Sequence, residues 1–208
     1  IAGAVADTLR NIEAVTGSAL NDYIVLGNGG MSASGAAGND VFIAGIGADT
    51  IDGGTGDDVV LVTNELQHGA GDIVTGGDGT ADVIRYTAGN GGTLTLQAGV
   101  TGVEEVEISD AAGANAGAGA GTNTNEGINA SALTYGLTIT GNDGTNAITG
   151  TAFADRISAG GGNDTIAADD ADTLIDGDGA GTGNAGAADV MTLAADATFT
   201  ATQLQNIE

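Results

Sequence analysis

Cysteine, proline, tryptophan and lysine are all missing from this chain of 208 residues. Without cysteine there can be no disulfides and no thiolate zinc sites. Aromatic residues make up only 3% of the chain, so a broad core of large side chains is not expected. No apolar run reaches the roughly 18 residues that indicate a membrane-spanning helix, and we therefore expect no membrane insertion.

Positive charge is scarce, whereas negative charge is abundant. Three arginines stand against 28 acidic residues, which gives a formal net charge of −25. This charge excludes nucleic acid and anionic membranes as direct partners. Carboxylates in a compact fold repel one another unless cations neutralise them. Among hard cations that prefer oxygen ligands, Ca²⁺ tolerates many ligands in flexible geometry, so it is the leading candidate.

A nine-residue pattern, GGxGxDxUx, in which U is a large apolar residue, recurs along the chain. The clearest copy is 53–61, and four earlier units in the same phase begin at residues 17, 26, 35 and 44. The unit 26–34 is degenerate. A second in-phase run covers 141–167, so the strict nonapeptides occupy 17–61 and 141–167. Looser copies lie at 76–84 and around Asp172 and Asp189.

Nine residues can form one turn and one short strand, so eighteen residues can form one coil with two sheets. Residues eighteen apart should then stack on the same sheet. The expected stacks are Ile24, Phe42 and Val60 on one sheet, Ala33 and Ile51 on the other, and, in the second run, Ile148 and Ile166 with Ile157 opposite. The pattern therefore predicts an all-β fold with a thin aliphatic core.

These units resemble the RTX (haemolysin-type) nonapeptide family. The resemblance implies a parallel β-roll, or β-solenoid, with several Ca²⁺ ions bound in the turns. It also implies that the Asp at the sixth position is a metal ligand. The matching positions are Asp22, Asp40, Asp49, Asp58, Asp155 and Asp164 in the strict units, and Asp82, Asp172 and Asp189 in the looser copies.

The spacing also predicts where these carboxylates lie. Asp22, Asp40 and Asp58 are expected on one edge of the roll. Asp49 is expected on the other edge together with Asp155, and Asp164 opposite Asp155. Met31 and Asn146 occupy the sixth position without a carboxylate. The alternative is that the Asp residues only form turns, which Asp favours without any ion.

Composition along the chain predicts two roll blocks, 1–110 and 128–208, joined by an Ala/Gly-rich loop or linker at 111–127. The phrase L-x-N-I-E occurs at 9–13 and again at 204–208. We expect such recurrence in a slice of a longer repetitive protein. Nonapeptide tracts mixed with phrases of this kind resemble bacterial surface-layer proteins and large secreted adhesins.

Three features that might suggest other chemistry have simpler explanations. His68 is the only histidine and is expected to be a solvated loop residue, because a lone His cannot form a zinc site. The GxGxxG at 181–186 is followed by a strand-like pattern and not by the helix of a dinucleotide site. Glu104, Glu105 and Glu107 lack the aromatic-lined cleft expected for glycoside hydrolysis. We therefore expect no enzyme.

The sequence favours a structural, calcium-binding module of a secreted bacterial surface-layer or extracellular fibre protein. It would lie at the bacterial cell surface and assemble with itself into a lattice or filament. The family resemblance implies export by type I secretion. The alternatives are an adhesin or ice-binding solenoid, with a cell-surface glycan as one partner, or an RTX appendage of a secreted hydrolase.

Overall fold

The computed structural model describes residues 12–110, 112–113, 125–178, 188–194, 197–200 and 202–207. This part of the chain contains nineteen β-strands, one short 3₁₀-helix (Glu65–Gln67) and no α-helix. Every strand pair is parallel. None of the helical structure found there is long and apolar enough to cross a membrane.

One long sheet, sheet B, contains strands from both ends of the described chain. Its nine strands are β2 (Tyr23–Val25), β4 (Val41–Ile43), β6 (Val59–Val62), β8 (Val83–Tyr86), β11 (Glu105–Ile108), β13 (Thr138–Thr140), β15 (Arg156–Ser158), β17 (Leu174–Asp176) and β19 (Leu204–Gln205). Each strand is hydrogen-bonded to the next in this order.

Two five-stranded sheets complete the coils. Sheet A contains β1 (Ala14–Thr16), β3 (Ser32–Ala37), β5 (Thr50–Thr55), β7 (Ile73–Asp78) and β10 (Val100–Thr101). Sheet C contains β9 (Thr93–Thr95), β12 (Gly127–Asn129), β14 (Ala147–Thr149), β16 (Thr165–Ala168) and β18 (Val190–Leu193). The chain alternates between sheet B and one of these sheets, which makes the fold a β-solenoid. The predicted fold class is confirmed.

The core consists of single rows of aliphatic side chains, because alternate residues of a strand point to opposite faces. Along sheet B the inward row is Ile24, Phe42, Val60, Ile84, Val106, Ile139, Ile157, Ile175 and Leu204. The facing rows are Val15, Ala33, Ile51, Val74 and Val100 in sheet A, and Leu94, Ile128, Ile148, Ile166 and Met191 in sheet C. The predicted stacks are confirmed, and most of these side chains are fully buried.

The coil after β8 differs from the others. It contributes β9 to sheet C and then β10 to sheet A before the chain returns to sheet B at β11. Sheet B itself continues across this point, since β11 pairs with both β8 and β13. The division into blocks 1–110 and 128–208 stays a prediction. Most of the loop at 111–127 lies outside the described residues, as does the GxGxxG at 181–186.

Candidate metal centre

Carboxylates form a hydrogen-bonded ladder along the first edge, which comprises the turns that lead into sheet B. Within it, Oδ1 of each Asp accepts the backbone N–H of the equivalent residue one coil earlier. The N–H of Asp22 donates to Asp40, that of Asp40 to Asp58 and that of Asp58 to Asp82, each at 2.7 Å. The ladder therefore continues through coils of 18 and of 24 residues, because the turns accommodate the extra residues.

Further along the first edge the ladder continues with other residues. The N–H of Asp82 donates to Glu104 at 2.9 Å. Beyond that coil, Asp155 accepts from the N–H of Leu137 at 2.7 Å, and Asp172 accepts from Asp155 at 3.2 Å. Asp155 therefore shares the edge of Asp22, and the prediction that it lies with Asp49 is wrong. The three-stranded coil after β8 changes the phase between the repeats, which sequence spacing alone did not show.

The second edge comprises the turns that lead into sheets A and C. Asp49 accepts the N–H of Met31 at 2.7 Å, and Asp164 accepts that of Asn146 at 2.7 Å. Asp189 accepts the N–H of Asp164 at 2.9 Å. The expected positions of Asp49 on the second edge and of Asp164 opposite Asp155 are confirmed. All nine predicted Asp residues thus lie in the turns, in two separate ladders, and their role as metal ligands stays a prediction.

The second carboxylate oxygen divides the turns into two kinds. Among the turns of the described chain, those of Asp40, Asp58, Asp82 and Asp164 contain an Oδ2 that is buried and accepts no hydrogen bond. We call these turns, 35–40, 53–58, 76–82 and 159–164, the open turns. Because burying a carboxylate oxygen without a partner is costly, these oxygens require a donor or a cation.

In the other kind, the capped turns, a backbone N–H near the start of the turn donates to the second oxygen. Asp22 Oδ2 accepts from Ser18 N–H at 2.5 Å, Asp49 Oδ2 from Gly45 at 3.2 Å and Asp155 Oδ2 from Thr151 at 2.6 Å. Shorter caps serve Asp72, from Gly69 at 2.6 Å, and Asp172, from Asp169 at 3.0 Å. The amide of Asn146 is capped in the same way by Asn142 at 2.9 Å.

Oxygen atoms from successive coils converge at the open turns 35–40 and 53–58, and also at the capped turn 17–22. A Cβ added to Gly35 would overlap both Asp40 Oδ2 and the carbonyl oxygen of Gly53 in the next coil. Gly53 stands in the same relation to Asp58 Oδ2 and the Gly76 carbonyl. Two ligands of one Ca²⁺ lie up to about 5 Å apart, since each Ca²⁺–O distance is about 2.3–2.6 Å. The oxygens of an open turn therefore fit a shared Ca²⁺.

Backbone carbonyls must supply much of any such site. In the part of the chain that the structure describes, no three His, Cys, Asp or Glu side chains converge to hold a metal ion. Ca²⁺ takes six to eight oxygens and accepts carbonyls as readily as carboxylates. One Asp per turn combined with stacked carbonyls suits Ca²⁺ and does not suit a metal that needs several side-chain ligands.

The electrostatics of the ladders also favour a cation. Burial, together with the charge of the neighbouring carboxylates of Asp40 and Asp82, raises the pKa of Asp58 to about 6. Burial, followed by the charge of Asp189, raises the pKa of Asp164 to about 7. Burial also raises the pKa of the capped Asp172 to about 6, so the electrostatic cost of a buried carboxylate is common to both kinds of turn. A bound divalent cation would offset this cost where no protein donor reaches the second oxygen.

His68 is not the solvated residue that its position between repeats predicted. Its exposed fraction is 5%, and its Nε2 accepts the N–H of Gln97 at 3.3 Å. Its Nδ1 lies 3.8 Å from Asp72 Oδ2. Burial lowers the pKa of His68, and the charge of Asp72 opposes this shift. His68 therefore packs as a neutral residue beside a capped turn, where insertion of the 3₁₀-helix lengthens the coil.

Three acidic residues at the turns were not predicted: Asp72 and Glu104, which belong to the ladders, and Glu126, which accepts a hydrogen bond from the Asn142 side chain. All three are two residues before an inward aliphatic side chain, respectively Val74, Val106 and Ile128. That acid-x-aliphatic spacing is the signal that could have found them. The glycine pattern failed because their turns have other lengths and compositions.

The glutamates considered for catalysis have structural partners. Glu107 forms an ion pair with Arg85 across β8 and β11. Glu104 belongs to the first-edge ladder. Glu105 accepts from the Thr140 hydroxyl at 3.4 Å, and burial raises its pKa. These contacts join neighbouring strands of sheet B.

Comparison with known families supports the same assignment. The profile of the RTX calcium-binding nonapeptide repeat matches in four copies, over residues 32–61 and 140–172. No curated protein and no solved structure gave a significant match. Both matched segments lie in the solenoid and contain ladder carboxylates of both edges. The chain therefore carries RTX calcium-binding nonapeptide repeats, folded as a parallel β-solenoid.

Proposed function

We propose that this chain is a structural calcium-binding module of a secreted bacterial surface-layer or extracellular fibre protein, and that Ca²⁺ drives its folding and its assembly. The observation that carries the proposal is the set of buried, unpartnered carboxylate oxygens of Asp40, Asp58 and Asp82. They follow one another on a single edge, where carbonyl oxygens of the next coil approach them.

The chain's own residues prepare these sites. The N–H···Oδ1 ladder fixes each carboxylate, so Oδ2 is held in position before any ion arrives. Bound Ca²⁺ would supply the positive charge that separates the stacked carboxylates. Because the unfolded chain cannot present these oxygens together, binding energy becomes folding energy. The core rows are only one side chain deep, so this contribution is a large part of the total stability.

Calcium-coupled folding fits a protein that acts outside the cell. Cytosolic calcium is too low to saturate such sites, so the part of the chain that contains the open turns would stay unfolded there, and the chain would be a suitable substrate for type I secretion. External calcium would then fold it at the bacterial surface. The net charge of −25 supports this order of events, because self-repulsion opposes the compact state until cations bind.

Self-assembly is supported by an apolar outer face. On β2, Tyr23 and Val25 point away from the core, and each is 59% exposed. Their neighbours on β4 in the same outward rows, Val41 and Ile43, are half-buried. We assign a second copy of the chain to this face. Two copies with this net charge repel each other, so the contact depends on Ca²⁺ to lower the charge of each.

The register of the strands does not favour ice binding. A flat array of threonines would be needed on one face. Instead Thr93 lies beside Gly127, and Thr95 beside Asn129. Thr138 lies between Glu105 and Arg156. Other residue types therefore interrupt each row of threonines on the neighbouring strand. A structural role explains this surface better than ice binding does.

The test is a Ca²⁺ titration of EDTA-treated protein, followed by far-ultraviolet circular dichroism, with Mg²⁺ as the control. We expect a cooperative gain of β-sheet signal with Ca²⁺ and none with Mg²⁺. Light scattering on the same samples should show a concentration-dependent increase in mass with Ca²⁺ only. A circular dichroism spectrum that Ca²⁺ leaves unchanged would mean that the Asp ladders only stabilise the turns and do not bind the ion. Calcium-dependent folding without an increase in particle mass would contradict the proposed self-assembly and leave calcium-dependent folding intact.

A further inference from the structure

We propose that Ca²⁺ binds only at the open turns, and that the capped turns are closed by protein donors and fold without the ion. This inference rests on the proposed calcium binding and adds which of the carboxylates take part. It distinguishes between repeats of the same family, since the matched segments contain turns of both kinds.

The backbone at the second residue of the turn separates the two kinds. In every open turn this residue has a positive φ: +76° at Ala36, +106° at Gly54, +119° at Gly77 and +98° at Gly160. No second residue of the capped turns Ser18, Gly45, Asn142 and Thr151 has a positive φ. The sign of this angle decides whether the second N–H reaches the sixth-position carboxylate, and so whether Oδ2 keeps a protein donor.

Three open turns lie side by side on the first edge. Strands β3, β5 and β7 extend into these turns, where Ala36 pairs with Gly54 and Gly54 with Gly77. The carbonyl of Ala36 therefore faces Gly54, and that of Gly54 faces Gly77. The spaces between these turns thus combine stacked carbonyls with the unpartnered oxygens of Asp40, Asp58 and Asp82. The second edge adds a separate open turn at Asp164.

The capped turn at Asp155 shows what replaces the ion. The N–H of Thr151 donates to Oδ2 at 2.6 Å, and the Thr151 hydroxyl lies 3.0 and 3.2 Å from the two carboxylate oxygens. The N–H of Leu137 donates to Oδ1 at 2.7 Å. Both oxygens are satisfied by protein groups, so a cation there would have to displace hydrogen bonds that already exist.

The experiment compares two substitutions of the same kind. Asp58→Asn removes a carboxylate from the centre of the open turns, and Asp155→Asn removes one from a capped turn. Both keep an oxygen that can accept the ladder N–H. The number of Ca²⁺ ions bound per chain is measured by isothermal titration calorimetry and equilibrium dialysis with ⁴⁵Ca²⁺. Circular dichroism in saturating Ca²⁺ confirms that each variant is folded.

We expect Asp58→Asn to lose at least one bound ion and Asp155→Asn to bind as many as the parent chain. If Asp155→Asn does not fold, Asp22→Asn at a half-exposed capped turn makes the same comparison. Loss of an ion from a folded capped-turn variant, or an unchanged count in Asp58→Asn, overturns this inference and leaves calcium binding intact. A parent chain that binds no Ca²⁺ overturns the proposed function and this inference together.

Discussion

The first edge of the solenoid contains two regions with the same ladder and different turn chemistry. In the open region, 35–82, the first-edge residues Asp40, Asp58 and Asp82 each leave one buried carboxylate oxygen without a protein donor. In the capped region, 137–158 and 165–172, which leaves out the open turn 159–164 on the second edge, Asp155 and Asp172 have protein donors on both oxygens. A nonapeptide with the right Asp is therefore not by itself an ion site. The path of the backbone four or five residues earlier decides what the carboxylate needs.

The comparison predicts that the two regions respond differently when calcium is removed. In EDTA the capped region should stay folded on its aliphatic core and its caps, while the open region loses its fold. A solenoid permits this because each coil contacts mainly its neighbours.

Core substitutions should give the largest effect. Ile157→Ala removes a fully buried side chain from the capped region, and Ile51→Ala removes one from the open region. In Ca²⁺ each should lower the free energy of unfolding by about 2–5 kcal/mol. In EDTA only Ile157→Ala should shift the thermal melt, because the region around Ile51 is already unfolded. Equal shifts of both variants in EDTA would contradict the division.

Removal of the hydroxyl that supplements the backbone cap of Asp155 should give the next largest effect. Thr151→Val keeps the shape of the side chain and deletes the hydroxyl that contacts Asp155. We expect a loss of about 1–3 kcal/mol, because a buried carboxylate loses a donor. Denaturation curves should show this loss of unfolding free energy both in EDTA and in Ca²⁺. Thr165→Val, at an exposed position of β16, is the matched control and should change little.

The pH dependence without calcium should run against the usual direction for acidic proteins. The folded-state pKa of Asp58 is raised to about 6, and that of Asp82 is also raised, above the ordinary value of 3.8 for an Asp. A group whose pKa is higher in the folded state than in the unfolded state stabilises the fold at pH values below its unfolded-state pKa. This stabilisation is lost as pH rises through its folded-state pKa. In EDTA the open region should therefore gain structure as pH falls from 8 towards 4. Melts at several pH values check this.

Calcium should reverse that trend, and the reversal serves as the control. Protons and Ca²⁺ compete for the same carboxylate oxygens, so acid weakens calcium binding. In saturating Ca²⁺ the melting temperature should fall as pH drops through the raised pKa values. The same pH trend with and without Ca²⁺ would mean that these carboxylates do not hold the ion.

The smallest effect concerns backbone strain in an open turn. Ala36 has a φ of +76°, a region that costs a residue with a Cβ roughly 1 kcal/mol or more. Ala36→Gly should therefore stabilise the calcium-bound form by about 0.5–1 kcal/mol. Ala37→Gly, one residue later in strand β3, is the matched control and should destabilise by a similar amount. Urea denaturation in Ca²⁺ measures both, and a destabilising Ala36→Gly would contradict the account.

The sequence was sufficient for the fold and for most of the ladder. The eighteen-residue period predicted that Ile24, Phe42 and Val60 stack, because a parallel coil repeats its inward positions. It also predicted the row Asp22, Asp40 and Asp58. The eighteen-residue period gave the wrong edge for Asp155, because the coil after β8 contains an added strand that shifts the later repeats.

The division into open and capped turns could not be predicted from residue types. Gly45 and Gly54 are both glycines at the second position of a strict unit, yet only Gly54 has a positive φ. Gly45 caps Asp49, and Gly54 leaves Asp58 uncapped. The choice depends on how the turn packs on its neighbouring coils, which is a property of the stack and not of one repeat. The burial of His68 beside Asp72 was hidden for the same reason.

Hydrogen exchange followed by mass spectrometry, in Ca²⁺ and in EDTA, tests the contrast between the two regions most directly. We predict that peptides covering 35–82 lose most of their protection in EDTA, while peptides covering 137–158 and 165–172, on either side of the open turn 159–164, keep theirs. Uniform loss along the whole solenoid, or protection that does not depend on Ca²⁺ in either region, would contradict the account.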